Sequence, residues 1–168
     1  MNARLIYPLL IAASLLGSAS TADEWHVGPR GVGPARIGMK LTQLKQALRG
    51  DVALFPDPQQ DCDYMLVKSH PQLQLMMIKR KLARVDVVDP GVSTPEGIQV
   101  GDSAARVRKI YGRRIETMEH KYIDNGFYFT VFTKDKKYGT RFEIDENGKV
   151  GMFYAGDAQA IQYIEGCV

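Results

Sequence analysis

The chain has 168 residues, 45% of them apolar and 24% charged, and a formal net charge of +3. That length suits one compact domain or two small halves sharing a core, and the charge is too slight to point to nucleic acid or an anionic membrane as partner. The 16 glycines and 8 prolines are spread along the chain, which excludes a low-complexity protein.

Residues 1–22 read as a secretory signal peptide. Arg4 precedes an apolar run from Leu5 to Leu16, and small residues follow, from Gly17 to Ala22. Cleavage after Ala22 or after Ala19 fits the small positions. The run falls short of the ~20 residues that span a bilayer, and no Cys follows it to carry a lipid. No other stretch is long and apolar enough to span. The expected product is soluble and exported, to a periplasm in a Gram-negative cell, and loss of Arg4 lowers its net charge to +2.

Residues 23–36 read as an irregular N-terminal arm. Its "GPRGVGPARIG" (Gly28–Gly38) is rich in glycine, but the prolines and the missing Lys argue against a phosphate loop. Next come two related phrases, "IGMKLTQLKQALRG" (Ile37–Gly50) and "VGDSAARVRKIYG" (Val100–Gly112), at a spacing of 63. Each opens with a branched residue and a Gly. Each continues with apolar residues on one helical face: Leu41, Leu44 and Leu48 in the first, Ala104, Val107 and Tyr111 in the second. Each ends at a Gly, and Asp102 or Ser103 can cap the second helix.

Strand-like runs follow both phrases. "CDYMLVK" (Cys62–Lys68), "QLQLMMIKRK" (Gln72–Lys81) and "LARVDVVDPG" (Leu82–Gly91) correspond to "NGFYFTVFTK" (Asn125–Lys134), "YGTRFEID" (Tyr138–Asp145) and "GKVGMFYAG" (Gly148–Gly156). Their period of two predicts a sheet covered on one face and wet on the other. The predicted fold is α+β: two tandem repeats of a short helix and about three antiparallel strands in one helix-on-sheet layer. Unit 1 spans 37–91, a Pro/Gly linker 92–97, unit 2 98–156, and a C-terminal tail 157–168. Cys62 and Cys167 are the only cysteines, and export favours a disulfide between them, with two free thiols as the alternative.

Catalytic signatures are missing. The sequence holds no GxSxG, HExxH or Walker loop, and no Cys pair at CxxC spacing. His26, His70 and His120 show no metal-ligand spacing, so no metal and no cofactor is predicted. "EIDENGKVGMFY" (Glu143–Tyr154) echoes a calcium loop, but Tyr154 stands where the bidentate carboxylate belongs. Two basic stretches, "KRKLAR" (Lys79–Arg84) and "RVRKIYGRR" (Arg106–Arg114), read as solvated faces or as a patch for an acidic protein partner. The aromatic run "HKYIDNGFYFTVF" (His120–Phe132) and "GMFYAG" (Gly151–Gly156) are expected to show Tyr122, Tyr128 and Tyr154 to solvent beside His120. With Arg106 and Arg113 these form the predicted partner-binding set.

The phrases Ile37-Gly38-Met39 and Val100-Gly101-Asp102, each followed by a helix and a sheet, resemble the BamE/SmpA-type outer-membrane assembly lipoproteins. The tandem doubling resembles the β-lactamase inhibitor protein, BLIP. That resemblance implies a non-catalytic, periplasmic or secreted protein-binding module: an inhibitor or immunity-type protein that occludes another envelope protein. A non-lipidated outer-membrane assembly factor is the alternative, and a hydrolase using His120 with Asp124 is a third reading. Oligomeric state and partner identity stay open.

Overall fold

The computed structural model describes residues 25–54 and 61–167; the predicted signal peptide and its cleavage site lie outside them. The chain opens with three two-residue strands, β1 (Val27–Gly28), β2 (Gly31–Val32) and β3 (Ala35–Arg36), paired antiparallel in a small sheet. The irregular arm expected here is therefore corrected. Val27, Val32 and Ala35 are buried anchors, and Gly33, at a φ of 48°, turns the chain where a Cβ would stand 2.7 Å from the Trp25 ring. Trp25 in turn stacks on His70 at 4.1 Å.

Helix α1 (Leu41–Ala47) leads into β4 (Val52–Leu54), β5 (Cys62–Val67), β6 (His70–Ile78) and β7 (Lys81–Val87). Helix α2 (Ala104–Tyr111) and a 3₁₀ turn, Gly112–Arg114, lead into β8 (Ile115–Glu119), β9 (Phe127–Phe132), β10 (Tyr138–Ile144) and β11 (Val150–Asp157). The Ser103 side chain accepts from the Arg106 backbone N–H at 3.2 Å and starts α2, and Gly112 ends it at a φ of 53°. Neither helix has enough backbone bonds to be stable alone. Each is held by its apolar stripe, Leu44 in α1 with Leu48 just past its end, Val107 and Tyr111 in α2.

All eight long strands join one antiparallel sheet in the order β4-β5-β6-β7-β11-β10-β9-β8. The last strands of the two meanders, β7 and β11, meet at its centre, where Val85 pairs Ala155 and Asp86 pairs Tyr154. One face carries the main core. Leu73, Leu75, Val85, Val87, Phe129, Phe142 and Phe153 pack there against the helices and the small sheet. Each such side chain, fully buried, contributes about 1.5–3 kcal/mol.

The expected architecture is overturned. The chain is sheet-dominated, its two helices make about two turns each, and four strands, not three, follow each helix into a single eight-stranded sheet. It is not a helix-plus-three-strand repeat of the BLIP or BamE type. Within the large sheet the unpredicted strands are its two edges. β4 is only three residues long, and β8 is mostly exposed, so neither carries an apolar alternation.

Candidate functional site

The face of the sheet turned away from the helices is polar, and most of it is not wet. Register places Asp86, Tyr154, Arg141 and Thr130 directly across β7, β11, β10 and β9. All four are buried. Burial comes from the C-terminal segment, which crosses this face as a strap. The Asp157 carboxylate accepts from the N–H groups of Gln159 (2.9 Å) and Ala160 (3.2 Å), and so starts a 3₁₀ turn over Ala160–Gln162. Gly139 makes room for the turn: a Cβ there would stand 2.6 Å from Ile161 Cδ1. At the far end Gly166 passes so close to the Tyr64 hydroxyl that a Cβ would stand 2.5 Å from it.

Several bonds fasten the strap. The disulfide between Cys62 and Cys167 forms as expected, across 105 positions. Arg84 Nη1 donates to the carbonyls of Ala160 (3.2 Å) and Tyr163 (2.7 Å). Arg141 Nη2 donates to Gln162 Oε1. On the exposed rim, Lys121 Nζ lies 3.0 Å from Glu165 Oε1, and the Tyr122 hydroxyl donates to the same oxygen.

Beneath the strap Arg84 and Asp86 form a buried bidentate pair, at 2.6 and 2.8 Å. Tyr64 joins it, donating to Asp86 Oδ2 at 3.3 Å and accepting from Arg84 Nη2 at 3.0 Å. Burial pushes the Asp86 carboxyl up, and Arg84 pulls against it. Burial, then the Asp86 charge, pushes the Tyr64 phenol up to about 12. Tyr128 and Tyr154 are also raised, first by burial and then by the Glu143 carboxylate.

His120 is a structural pin. Its Nε2–H donates to Glu143 Oε2 at 3.2 Å, and Nδ1 accepts from the backbone N–H groups of Tyr122 and Ile123, both at 3.1 Å. These partners assign the tautomer and commit the lone pair that a general base would need. The ring stacks on Tyr128 at 4.3 Å. The expected pairing with Asp124 is corrected to Glu143, since Asp124 stands exposed on the β8–β9 loop.

The predicted partner-binding set divides. His120, Tyr122, Tyr128 and Tyr154 lie on the strapped side; Arg106 and Arg113 are exposed at α2 and the 3₁₀ turn behind it, Arg106 paired with Asp102 at 3.3 Å. Tyr122 is 59% exposed, whereas Tyr128 and Tyr154 are buried at 0% and 1%. Their expected exposure is corrected: the strap and the β8–β9 loop cover the face that period two marks as wet. Among the described residues the Tyr128 and Tyr154 hydroxyls and Arg141 Nη1 are buried without a partner in ordinary hydrogen-bond geometry, the Tyr128 hydroxyl beside the Lys121 backbone and the Tyr154 hydroxyl beside Glu143. Such groups are the usual seats of ordered water.

Sequence reasoning missed Arg84, Asp86, Arg141, Tyr163 and Glu165. Arg84, Asp86 and Arg141 sit at strand positions that read as solvated, and Tyr163 and Glu165 lie in a tail with no periodicity. The one available signal was the Cys62–Cys167 tie, which forces the tail across β5 and its neighbours. Between Lys121 and residues 162–166 of the strap lies a cavity of about 460 Å³. Among the described residues no group of three or more His, Cys, Asp or Glu side chains could hold a metal, and no helix is long and apolar enough to cross a membrane.

No protein-family profile matches the sequence, and no curated protein matches it. Among solved structures, the chain is similar to an extracellular protein containing an SCP domain from Bacillus anthracis str. Ames, with 12% identity and a TM-score of 0.49 over 75% of this chain and 45% of that one. It is also similar to a cysteine-rich secretory protein from Staphylococcus aureus, with 9% identity and a TM-score of 0.38 over 79% of this chain and 49% of that one. The chain spans about half the length of either.

Proposed function

We propose that the protein is an exported binding module whose contact surface is the clasp between the β8–β9 loop and the C-terminal strap. Export rests on the predicted signal peptide and on a disulfide, which persists in oxidising compartments. The observation that carries the binding reading is where apolar surface is left open. Among the described residues four large apolar side chains are exposed, and Met118, Tyr122 and Tyr163 are on the strapped side of the sheet. Tyr163 lines the cavity, and Tyr122 reaches the strap through Glu165.

Exposed tyrosines beside a concave surface with a charged rim are the usual anchors of protein interfaces. The buried Arg84–Asp86–Tyr64 cluster and the disulfide hold the strap in place, so little ordering is left to do on binding. Tyr128, Tyr154 and His120 support this surface from below. The partner is another exported protein, and the action is occlusion, with Tyr122 and Tyr163 filling an apolar recess on it.

The test uses the mature, oxidised protein and the double variant Tyr122→Ala/Tyr163→Ala. A partner captured from envelope extract is purified and titrated against both by calorimetry. The variant keeps the wild-type circular dichroism and binds roughly a hundredfold more weakly or worse. Equal affinity for the two proteins removes the clasp as the contact surface.

A further inference from the structure

The tip of the β6–β7 hairpin is made of residues that its backbone disfavours. Ile78 pairs with Lys81, which leaves Lys79 and Arg80 as a two-residue loop. Both have positive φ, 49° and 61°. That is the φ signature of a type I′ turn, whose preferred residues are Asn and Gly. A long side chain on each of two successive left-handed residues is sterically costly, and strain of this kind concentrates where function outweighs local stability.

A second strand of chain completes the site. Lys40 forms an antiparallel bridge with Lys81, and the Leu41 N–H donates to the Arg80 carbonyl at 3.2 Å. Lys40, Leu41, Thr42, Lys79, Arg80 and Lys81 line one cavity of about 340 Å³. All four cations are exposed, and none is in an ion pair with a carboxylate of the described residues.

We propose that this cavity binds a phosphate-bearing anion. Four exposed positive charges around one small cavity, with no ion pair to a carboxylate among the described residues, match an anion carrying more than one negative charge; a single carboxylate leaves most of that field unanswered. Leu41 and the hydrocarbon stems of the lysines give the organic part of a phosphate ester an apolar surface to lie on. The two-residue loop fixes where Lys79 and Arg80 leave the backbone, so half of the cationic set is placed in advance. A free phosphate compound and a lipid headgroup present the same chemistry to this site.

The test compares the wild type with Lys79→Asn/Arg80→Gly, which gives the turn its preferred residues while removing two charges. Lys134→Gln/Lys137→Gln loses the same charge at a different hairpin, and Lys40→Gln/Lys81→Gln removes the flanking pair without touching the turn. Binding of inorganic pyrophosphate is followed by calorimetry at low salt. Binding to phosphatidylcholine vesicles, with and without phosphatidic acid, is followed by sedimentation. The turn variant melts higher than the wild type by roughly 5 °C, which shows that it is folded. It binds the phosphate probe about thirtyfold more weakly. The flanking variant is weakened similarly, and the distant control stays within about twofold of the wild type. Saturable binding of pyrophosphate identifies a soluble ligand, and binding only to vesicles with phosphatidic acid identifies a headgroup. The proposal is overturned if the wild type binds neither probe, or if the distant control weakens binding as much as the turn variant does.

Discussion

Replacing Cys62 and Cys167 by Ala tests the strap most directly. The tie closes a loop of 105 positions. In the chain-entropy treatment a loop near that length restrains the unfolded chain by about 4.7 kcal/mol at 25 °C. Little of the folded structure changes in the variant, because Arg84 still donates to Ala160 and Tyr163, and Arg141 to Gln162. The loss therefore arises chiefly in the unfolded ensemble. Urea unfolding followed by circular dichroism reads it out. With a slope near ~2 kcal/mol per molar urea, the midpoint falls by about 2 M. The slope itself rises, since the untied unfolded chain is less compact and exposes more surface. A midpoint shift under about 0.5 M, with the slope unchanged, refutes the view that the tie acts on the unfolded chain.

Three further outcomes are expected. Arg84→Met strands the buried Asp86 charge and costs about 3–5 kcal/mol at pH 7. Because the folded Asp86 carboxyl titrates above its ordinary value, the proton favours the fold; its contribution is lost as pH rises through the folded value, so the deficit of Arg84→Met shrinks when urea unfolding is repeated near ~pH 4. In alkali, Tyr64 holds its proton up to about 12, and burial raises Tyr111, Tyr128 and Tyr154 as well. Raised phenols stabilise the fold below the unfolded value near ~10 and lose that contribution above it. Tyrosine ionisation at 295 nm therefore contains a steep step that coincides with loss of circular dichroism; full ionisation before any unfolding contradicts it. Gly166→Ala places a Cβ at a φ of 71° and 2.5 Å from the Tyr64 hydroxyl, and it lowers stability by about 1–2 kcal/mol in the same urea assay; a neutral result means that the strap does not pass Tyr64 so closely.

Strand patterning was legible in the sequence wherever apolar residues alternate or cluster. The runs around Met65, Leu75, Val85, Phe129, Phe142 and Phe153 are β5–β7 and β9–β11, and the stripes through Leu44 and Val107 are the two helices. The edge strands were hidden, because β4 is too short and Glu116 and Glu119 interrupt β8. The polar face was misread for a different reason. Alternation separates one face from the other, but it does not say whether the polar one meets water or protein. Arg84, Asp86 and Arg141 look solvated until the tail is laid over them, and the tail has no periodicity of its own. The bulge between Met76 and Met77 blurs the pattern further by burying both side chains.

The pairing of β7 with β11 bears on when the protein can fold. A chain that emerges N-terminus first can form the β4–β7 meander early, since its turns are local. One edge of β7 then has no neighbour until residues 153–156 arrive. An open central strand of Val85 and Val87 is a template for pairing with a second chain. The sheet is completed by β11, the last of the described strands, and the strap and its disulfide follow it. Loss of the residues from Val150 onward therefore removes the middle of the sheet, not an appendage.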